Sequence, residues 1–195
     1  MTPDQYFQDA IRTESRVEKI QANQDFVQSI ITSIIALSLV LDQIKKNVFY
    51  NKKINEISIS TNLHCAQGLI GQLIDNIITQ EVHPMEQKTD LCVDTRLFHA
   101  IVGIATESSE LLETLKFDGT PIDTVNLLEE FGDLNWYQAI GINASNGTFS
   151  GVLETNIAKL KSRYGDKFSS EAAINRNVVT ERAILEGQQI EQSST

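Results

Sequence analysis

The chain has 195 residues, of which 41% are hydrophobic and 22% are charged, and its 26 acids and 16 bases give a formal net charge of −10. A chain of this length and composition can bury enough surface to fold as one globular domain, or two very small ones, without disulfides or metals. Disorder as its main state is therefore excluded. The negative charge disfavours duplex nucleic acid as a partner, because phosphate backbones attract basic surfaces.

The cysteines and the N-terminal sequence bear on the cellular compartment. Cys65 and Cys92 occur in no CxxC or Cys/His spacing, and MTPDQYFQDA lacks the basic-then-apolar pattern of a secretory signal. We therefore predict a cytoplasmic protein with reduced thiols, and we interpret both cysteines as ordinary buried residues.

The segment from Phe26 to Leu41 is apolar and free of charge, but it is interrupted by several polar side chains. Its 16 residues fall short of the ~20 strongly apolar residues that a membrane span needs. We predict a buried helix and no membrane contact, with other helices of this chain or of a partner covering the helix on every face.

Glycine and proline are sparse and clustered, so the sequence between them predicts long helices. The alternation of residues 57–61 also fits a strand. Residues 120–123 (TPID) predict a helix start with a hydroxyl cap and proline in the first turn, and Gly165 predicts a helix end. The predicted helices span 4–21, 25–47, 57–80, 95–116, 121–143, 150–163 and 169–186.

Two pairs of carboxylates carry the most information about function. Glu107 and Glu110 lie in GIATESSELLETLKF, and Glu130 and Asp133 lie in NLLEEFGDLNWY. At about 100° per residue, each pair falls on the same side of its helix, beside an apolar stripe. The stripe residues are Ile104, Leu111, Leu115, Leu127, Phe131 and Leu134. If the two helices form an antiparallel hairpin, all four carboxylates border one seam.

Four carboxylates at one seam repel each other unless a hard divalent cation neutralises them. Ligation by oxygen alone indicates Mg²⁺, with Mn²⁺ as a substitute. The alternative is that these acids are the solvated shoulder of two amphipathic helices. Carboxylate-bridged iron is disfavoured, because none of His64, His83 and His99 follows a glutamate by three residues.

A local reversal of charge follows the acids. Residues 156–167 hold four bases and one acid, and Asn156, Lys159 and Arg163 share one helical face. This segment indicates an anionic partner, with arginine as a forked phosphate clamp. The alternative is that the bases complement the dipole at a helix C-terminus.

Three aromatic or imidazole side chains also invite a functional interpretation. Trp136 lies opposite the apolar stripe of its helix, and we expect it to pack on another helix in preference to stacking on a base. His64 and His99 have apolar neighbours in sequence, and we interpret both as core histidines whose ring nitrogens are hydrogen-bonded.

The ordered series GIATESSELLE, PIDTVNLLEEFGDLNWY and NIAKLKSRYGDKFSSEAAINRN resembles the phage-type branch of the MazG-like, all-α nucleoside triphosphate pyrophosphohydrolases. The resemblance covers about residues 98–186. It implies an all-α helical bundle with a four-helix core, and an oligomeric protein, usually a dimer or a tetramer. It also implies cleavage between the α- and β-phosphates, giving a nucleoside monophosphate and pyrophosphate.

The same resemblance implies roles for particular residues. Magnesium is expected at Glu107, Glu110, Glu130 and Asp133, with Glu107 or Glu110 as general base. Phosphate or nucleotide is expected at Lys159, Arg163 and Tyr164, with Asn156 alongside.

The first ninety residues depart from the family pattern. IALSLVLDQIKKNVFYNKKIN can be aligned with IATESSELLETLKFDGTPID, which makes 25–80 a decayed copy that has lost all four ligands and would form a pseudo-dimer within one chain. A rival alignment pairs LHCAQGLIGQLID with FHAIVGIATESSE. We predict an N-terminal helical segment (1–95), a catalytic helical region (96–186) and a disordered tail (187–195).

Two functional hypotheses result. The first is a Mg²⁺-dependent pyrophosphohydrolase that acts on nucleoside triphosphates and controls nucleotide pools. The second is a helical interaction protein without catalytic activity that keeps the bundle. The four acids together with the later lysine, arginine and tyrosine favour the enzyme.

Overall fold

The computed structural model describes residues 1–79 and 83–187, and 73% of this part of the chain is helical. It contains eight α-helices and two strands of two residues each. The predicted all-α helical bundle is therefore confirmed, while the specific four-helix core stays a prediction.

The helices are α1 (Pro3–Ala10), α2 (Gln24–Tyr50), α3 (Glu56–Thr79), α4 (Thr95–Glu113), α5 (Thr124–Ala144), α6 (Phe149–Tyr164), α7 (Ser170–Ile174) and α8 (Val178–Leu185). Two 3₁₀ turns lie at Ile11–Thr13 and Pro84–Glu86. The strands β1 (Gln21–Ala22) and β2 (Thr89–Asp90) pair antiparallel, with Gln21 opposite Asp90 and Ala22 opposite Thr89.

The chain divides into two compact units that are each built from two stretches of sequence. The first unit comprises Met1–Ile20 and Cys92–Asn156, and the second comprises Gln21–Leu91 and the residues from Ile157 onward. The predicted segments 1–95 and 96–186 follow a different division, because Met1–Ile20 belong to the first unit and the residues from Ile157 onward belong to the second. The predicted tail lies outside the described residues beyond Gly187.

The first unit is organised by the helical hairpin of α4 and α5. Asp94 caps α4 by accepting a hydrogen bond from the backbone N–H of Leu97 at 2.8 Å. Small residues let the two helices approach closely, and Ala100, Ala139 and Ile140 are fully buried. The α4–α5 hairpin predicted from the acid pairs is therefore present.

Helix α5 begins later than the sequence predicts. Its cap is Asp123, whose Oδ1 accepts from the backbone N–H groups of Val125 and Asn126 at 3.0 and 3.2 Å. Pro121 lies outside the helix, so the predicted start at residues 120–123 is wrong. A carboxylate that accepts two N–H groups also complements the helix dipole, which makes it a stronger cap than the Thr120 hydroxyl.

The predicted first helix, 4–21, is also wrong, since α1 ends at Ala10 and the chain is extended at Glu14. The Glu14 side chain is 1% exposed and accepts hydrogen bonds from Arg96 at 2.6 and 2.8 Å. Although burial opposes the effect, hydrogen bonds from Arg96 and Arg16 lower the pKa of Glu14. This ion pair joins the N-terminal segment to α4, and it prevails over the local helical tendency of residues 11–20.

The second unit contains the α2–α3 hairpin. Asn23 caps α2 by accepting from the backbone N–H of Phe26 at 3.0 Å. The helix ends at Asn51, which takes the left-handed conformation with φ 53°. Gln43 fixes the turn to α3 by accepting from Asn55 N–H at 2.9 Å and donating to Ser58 at 3.0 Å. Residues 57–61 are helical, so they do not form the alternative strand.

Helix α2 is much less covered than predicted. Only Ser33 and Ala36 are buried in it, whereas Ile34, Ile35 and Leu39 are each about half exposed. The described part of this chain therefore does not cover every face of α2, and coverage by a partner stays a prediction. By length and composition alone α2 is long and apolar enough to cross a membrane, a criterion that core helices of soluble proteins also meet.

Three further expectations concern thiols and imidazoles. Cys65 and Cys92 are both exposed, so their interpretation as buried thiols is wrong. His64 is exposed as well, so its interpretation as a core histidine is wrong, and its ring shares a hydrogen bond at 2.8 Å with the carbonyl of Ser60 one turn earlier in α3. His99 is half-buried against aromatic rings, as described below.

The predicted helix 169–186 is divided into α7 and α8. Asn177 caps α8 by accepting from Thr180 N–H at 3.1 Å, and the preceding turn places Arg176 against Glu181. Asparagine favours such turns because its side chain bonds to nearby backbone groups. Gly165 ends α6 with φ 62° and donates to the carbonyl of Lys161, as predicted.

Glu181 makes the second unit sensitive to acid. Its carboxylate accepts hydrogen bonds from Arg176 and Arg163, which lower its pKa to about 2. A depressed folded-state pKa contributes stability above the unfolded value of about 4.5 and loses it as the pH falls toward 2. We expect Glu181→Gln to lower the Tm at pH 7 and to flatten the decline of Tm between pH 4.5 and 2. Circular dichroism melts across this range measure both effects, and an unchanged decline in the variant would contradict the assignment.

Candidate metal centre and anion-binding residues

The α4–α5 hairpin brings three of the four predicted carboxylates together. Oxygens of Glu107, Glu130 and Asp133 all lie within 4.8 Å of one another. Glu107 faces α5 because it is four residues after Gly103, where the two helices touch, and Glu130 and Asp133 occupy the matching face of α5. The geometry agrees with the seam expected from the phase of the two acid pairs.

The cluster is buried on one side and open on the other. Glu107 is 9% exposed and Glu130 is 6% exposed, whereas Asp133 is exposed. Burial raises the pKa of Glu107, and the charges of Glu110 and Asp133 raise it further. Burial also raises the pKa of Glu130, followed by the charges of Glu110 and Glu107. The arrangement is therefore costly for carboxylates that carry their full charge without a cation.

Glu110 lies outside the group of three but near it. Its side chain is exposed, and its charge acts on both Glu107 and Glu130. The structure thus brings three of the four predicted ligands into one group and leaves Glu110 near it.

Two tyrosines border the acids and were missed by sequence reasoning. Burial raises the pKa of Tyr137, as do the charges of Glu107, Asp133 and Glu110. Burial and the charge of Asp133 likewise raise the pKa of Tyr6, whose hydroxyl donates to the carbonyl of Gly132 at 3.3 Å. Tyr137 follows Asp133 by one turn, so helical spacing could have found it. Tyr6 is brought in by tertiary folding, and no local signal marks it.

Close packing fixes the position of Tyr137. A Cβ atom on Gly103 would lie 2.1 Å from two carbons of the Tyr137 ring, so the ring fills the space that glycine leaves. His99 and Trp136 make edge contacts with the same ring, at centroid distances of 5.5 and 4.8 Å. The expectation that His99 has apolar surroundings agrees with this aromatic neighbourhood.

Trp136 packs on the N-terminal segment, as predicted for a side chain opposite the apolar stripe. Its Nε1–H donates to Thr13 Oγ1 at 2.8 Å and to the carbonyl of Ala10 at 3.2 Å. The ring joins Phe7, Ala10 and Ala139 in the core of the first unit. Because the ring is packed against this core, a role in base stacking is disfavoured.

The predicted phosphate-binding residues are divided between the units. Asn156 is exposed and ends the first unit, whereas Lys159, Arg163 and Tyr164 belong to the second. Lys159 is half-buried on α6, and Tyr164 packs beside Phe168 with ring centroids 5.4 Å apart. The structure thus keeps the predicted lysine, arginine and tyrosine within one unit.

Arg163 is not the free clamp that the sequence suggests. Its Nε and Nη2 donate to the two carboxylate oxygens of Glu181 at 2.8 and 2.6 Å, and its side chain is 14% exposed. Its guanidinium also lies over the Tyr164 ring, 5.5 Å from the centroid. The sequence indicated the fork geometry of arginine but not the carboxylate that occupies it, which lies 18 residues further on.

The acidic cluster fits a hard divalent cation on chemical grounds. Each of its members offers a carboxylate oxygen, the ligand type that Mg²⁺ and Mn²⁺ prefer. Burial, followed by the charges of neighbouring acids, raises the pKa of Glu107 and of Glu130, and a bound cation would favour the charged form of both. Histidine and cysteine are absent from the group, which disfavours zinc.

No protein-family model, curated protein or solved structure matches this chain. The functional interpretation therefore depends on the residues and geometry described above.

Proposed function

We propose that the chain is a Mg²⁺-dependent nucleotide pyrophosphohydrolase that cleaves nucleoside triphosphates between the α- and β-phosphates. The observation that carries the proposal is the convergence of Glu107, Glu130 and Asp133 within 4.8 Å, with Glu110 close by. Acids from two separate helices meet at one place. If these acids were only the solvated edge of two amphipathic helices, Glu107 and Glu130 would not be buried.

The predicted site residues have separate roles in the proposed reaction. Glu107, Glu110, Glu130 and Asp133 would hold Mg²⁺, which when bound supplies Lewis acidity toward phosphate oxygens and toward an attacking water. Glu107 or Glu110 would orient that water and accept its proton. Lys159, Arg163 and Tyr164, with Asn156, are proposed to contact the nucleotide. The hydrogen bonds that Arg163 donates to Glu181 hold this arginine in place.

The cellular location, partners and oligomeric state of the protein are also proposed. We propose a cytoplasmic protein acting on the nucleotide pool, without duplex nucleic acid or membrane as a partner. The large number of exposed apolar residues on α2 and α3, among them Ile34, Ile35 and Ile74, supports a homo-oligomer, most simply a dimer. The same exposed residues favour the second candidate, a helical interaction protein without activity.

A direct assay distinguishes the two candidates. Purified protein is incubated with a panel of ribo- and deoxyribonucleoside triphosphates and Mg²⁺, and the products are separated by anion-exchange chromatography. The expected products are nucleoside monophosphate and pyrophosphate, and EDTA is expected to abolish their formation. Release of orthophosphate with a nucleoside diphosphate, or no turnover with any nucleotide, would rule out the proposed reaction.

A further inference from the structure

A cationic pocket lies in the second unit, and one of its two walls comes from residues 42–52, outside the segment that carries the family resemblance. Its volume is about 480 Å³, which is within the range of small-molecule sites. One wall comes from the last two turns of α2 and the following turn, including Lys45, Lys46 and Lys52. The other comes from the end of α6 and the α7–α8 region, including Arg163 and Arg176.

The charges in this pocket are arranged in groups with more cations than carboxylates. Asp42 pairs with both Lys45 and Lys46, and Glu181 pairs with both Arg163 and Arg176. Each carboxylate holds two cations in place but neutralises only one. With Lys52 added, the pocket has a net charge of +3, in a chain whose formal net charge is −10.

Aromatic rings hold the two walls together. Tyr50, at the end of α2, and Tyr164, at the end of α6, both line the pocket and both pack on Phe168, with ring centroids 5.5 and 5.4 Å apart. The cations are therefore carried on structure that is fixed before a ligand arrives, which lowers the entropic cost of binding. At least two of them are also open to solvent, since the side chains of Lys45 and Lys46 are 56% and 37% exposed.

We infer that this pocket binds the phosphate chain of a triphosphate, with Lys45, Lys46 and Lys52 as cations that lie outside the family resemblance. Lysine suits this role as a point charge, and several lysines around one cavity match a ligand with three or four negative charges. The choice of a triphosphate rests on the proposed function. The binding itself requires neither turnover nor the acidic cluster.

Binding of tripolyphosphate to the full chain, measured by isothermal titration calorimetry in EDTA and low salt, tests this inference. Lys52→Glu is the informative variant, because Lys52 lines the pocket and is exposed, so its substitution leaves the packing intact. Lys53→Glu is the matched control, since it makes the same charge change on the adjacent exposed residue, which is not part of the lining. We expect a loss of affinity of about tenfold or more for Lys52→Glu and of about threefold or less for Lys53→Glu.

Equal losses of tripolyphosphate affinity in the two variants would show that only the overall positive charge of this region acts, and would overturn the inference. Failure of the parental protein to bind tripolyphosphate would overturn it as well. A second titration with a nucleoside triphosphate identifies the source of the phosphate chain. Tighter binding than tripolyphosphate indicates a nucleotide whose base or sugar contacts the tyrosines, and equal binding indicates that the phosphate chain alone is recognised. Specific binding without any turnover in the nucleotide panel would leave this inference standing and reject the proposed function. Nucleotide turnover together with equal losses of affinity in Lys52→Glu and Lys53→Glu would support the proposed function and overturn this inference.

Discussion

Glu107→Gln and Asp133→Asn are each expected to lower Mg²⁺-dependent nucleotide hydrolysis by about two orders of magnitude or more. Both substitutions keep the size of the side chain and remove one charged oxygen ligand from the group whose atoms lie within 4.8 Å. The metal-free variants are expected to be at least as stable as the parent, because one of several repelling carboxylates is gone. Activity and metal-free stability should therefore change in opposite directions.

Glu129→Gln is the matched control for these variants. It removes one acidic charge from an exposed position of α5, immediately before Glu130, without removing a member of the cluster. Titration with Mn²⁺ should show weakened binding for Glu107→Gln and Asp133→Asn and near-parental binding for Glu129→Gln. Turnover at the parental rate by either cluster variant in saturating Mg²⁺ would remove the basis for the proposed site.

The acidic cluster was predictable because its signal is local. Helical phase alone places Glu130 and Asp133 on one side of α5, and a short turn between two amphipathic helices makes an antiparallel hairpin the simplest arrangement. The burial of Glu107 and Glu130 does not follow from spacing, since it depends on how closely the two helices approach. That approach is set by glycine and alanine at the contact, including Gly103 and the fully buried Ala100.

The features that sequence reasoning missed are long-range ion pairs. Glu14 and Arg96 are 82 residues apart, and their pairing ends α1 early and fixes the N-terminal segment on α4. Arg163 and Glu181 are 18 residues apart, and their pairing gives the predicted phosphate ligand a carboxylate partner that the sequence did not indicate. In both cases the position of the carboxylate depends on the tertiary fold.

Helix α2 shows a different limit of sequence reasoning. Its apolar composition correctly predicted a helix, but it could not tell which of the helix faces would be covered. The described chain leaves Ile35 and Leu41 about half exposed. A partner or a second copy that covers this face would need no signal in the sequence beyond the hydrophobicity that was already noted.

Gly103→Ala is expected to destabilise the first unit by about 1–3 kcal/mol, the usual cost of overpacking a close contact. The new methyl group would lie 2.1 Å from the Tyr137 ring, which cannot swing away freely because His99 and Trp136 pack on it. Either the ring must leave its position or α4 and α5 must separate. Both outcomes would disturb the acidic cluster, because the charges of Glu107 and Asp133 act on the Tyr137 side chain.

Gly132→Ala, in α5 of the same hairpin, is the control because a Cβ atom there meets nothing within 4 Å. Alanine is favoured over glycine in a helix interior by about 1 kcal/mol, so this variant should be more stable than the parent. The same chemical change is thus expected to lower the Tm at one position and to raise it at the other. Adding Tyr137→Leu to Gly103→Ala should recover part of the lost stability, because the smaller side chain leaves room for the methyl group. Equal melting temperatures for the two single variants would mean that Gly103 and Tyr137 are not in close contact, and that the α4–α5 seam does not hold the acids at the described separation.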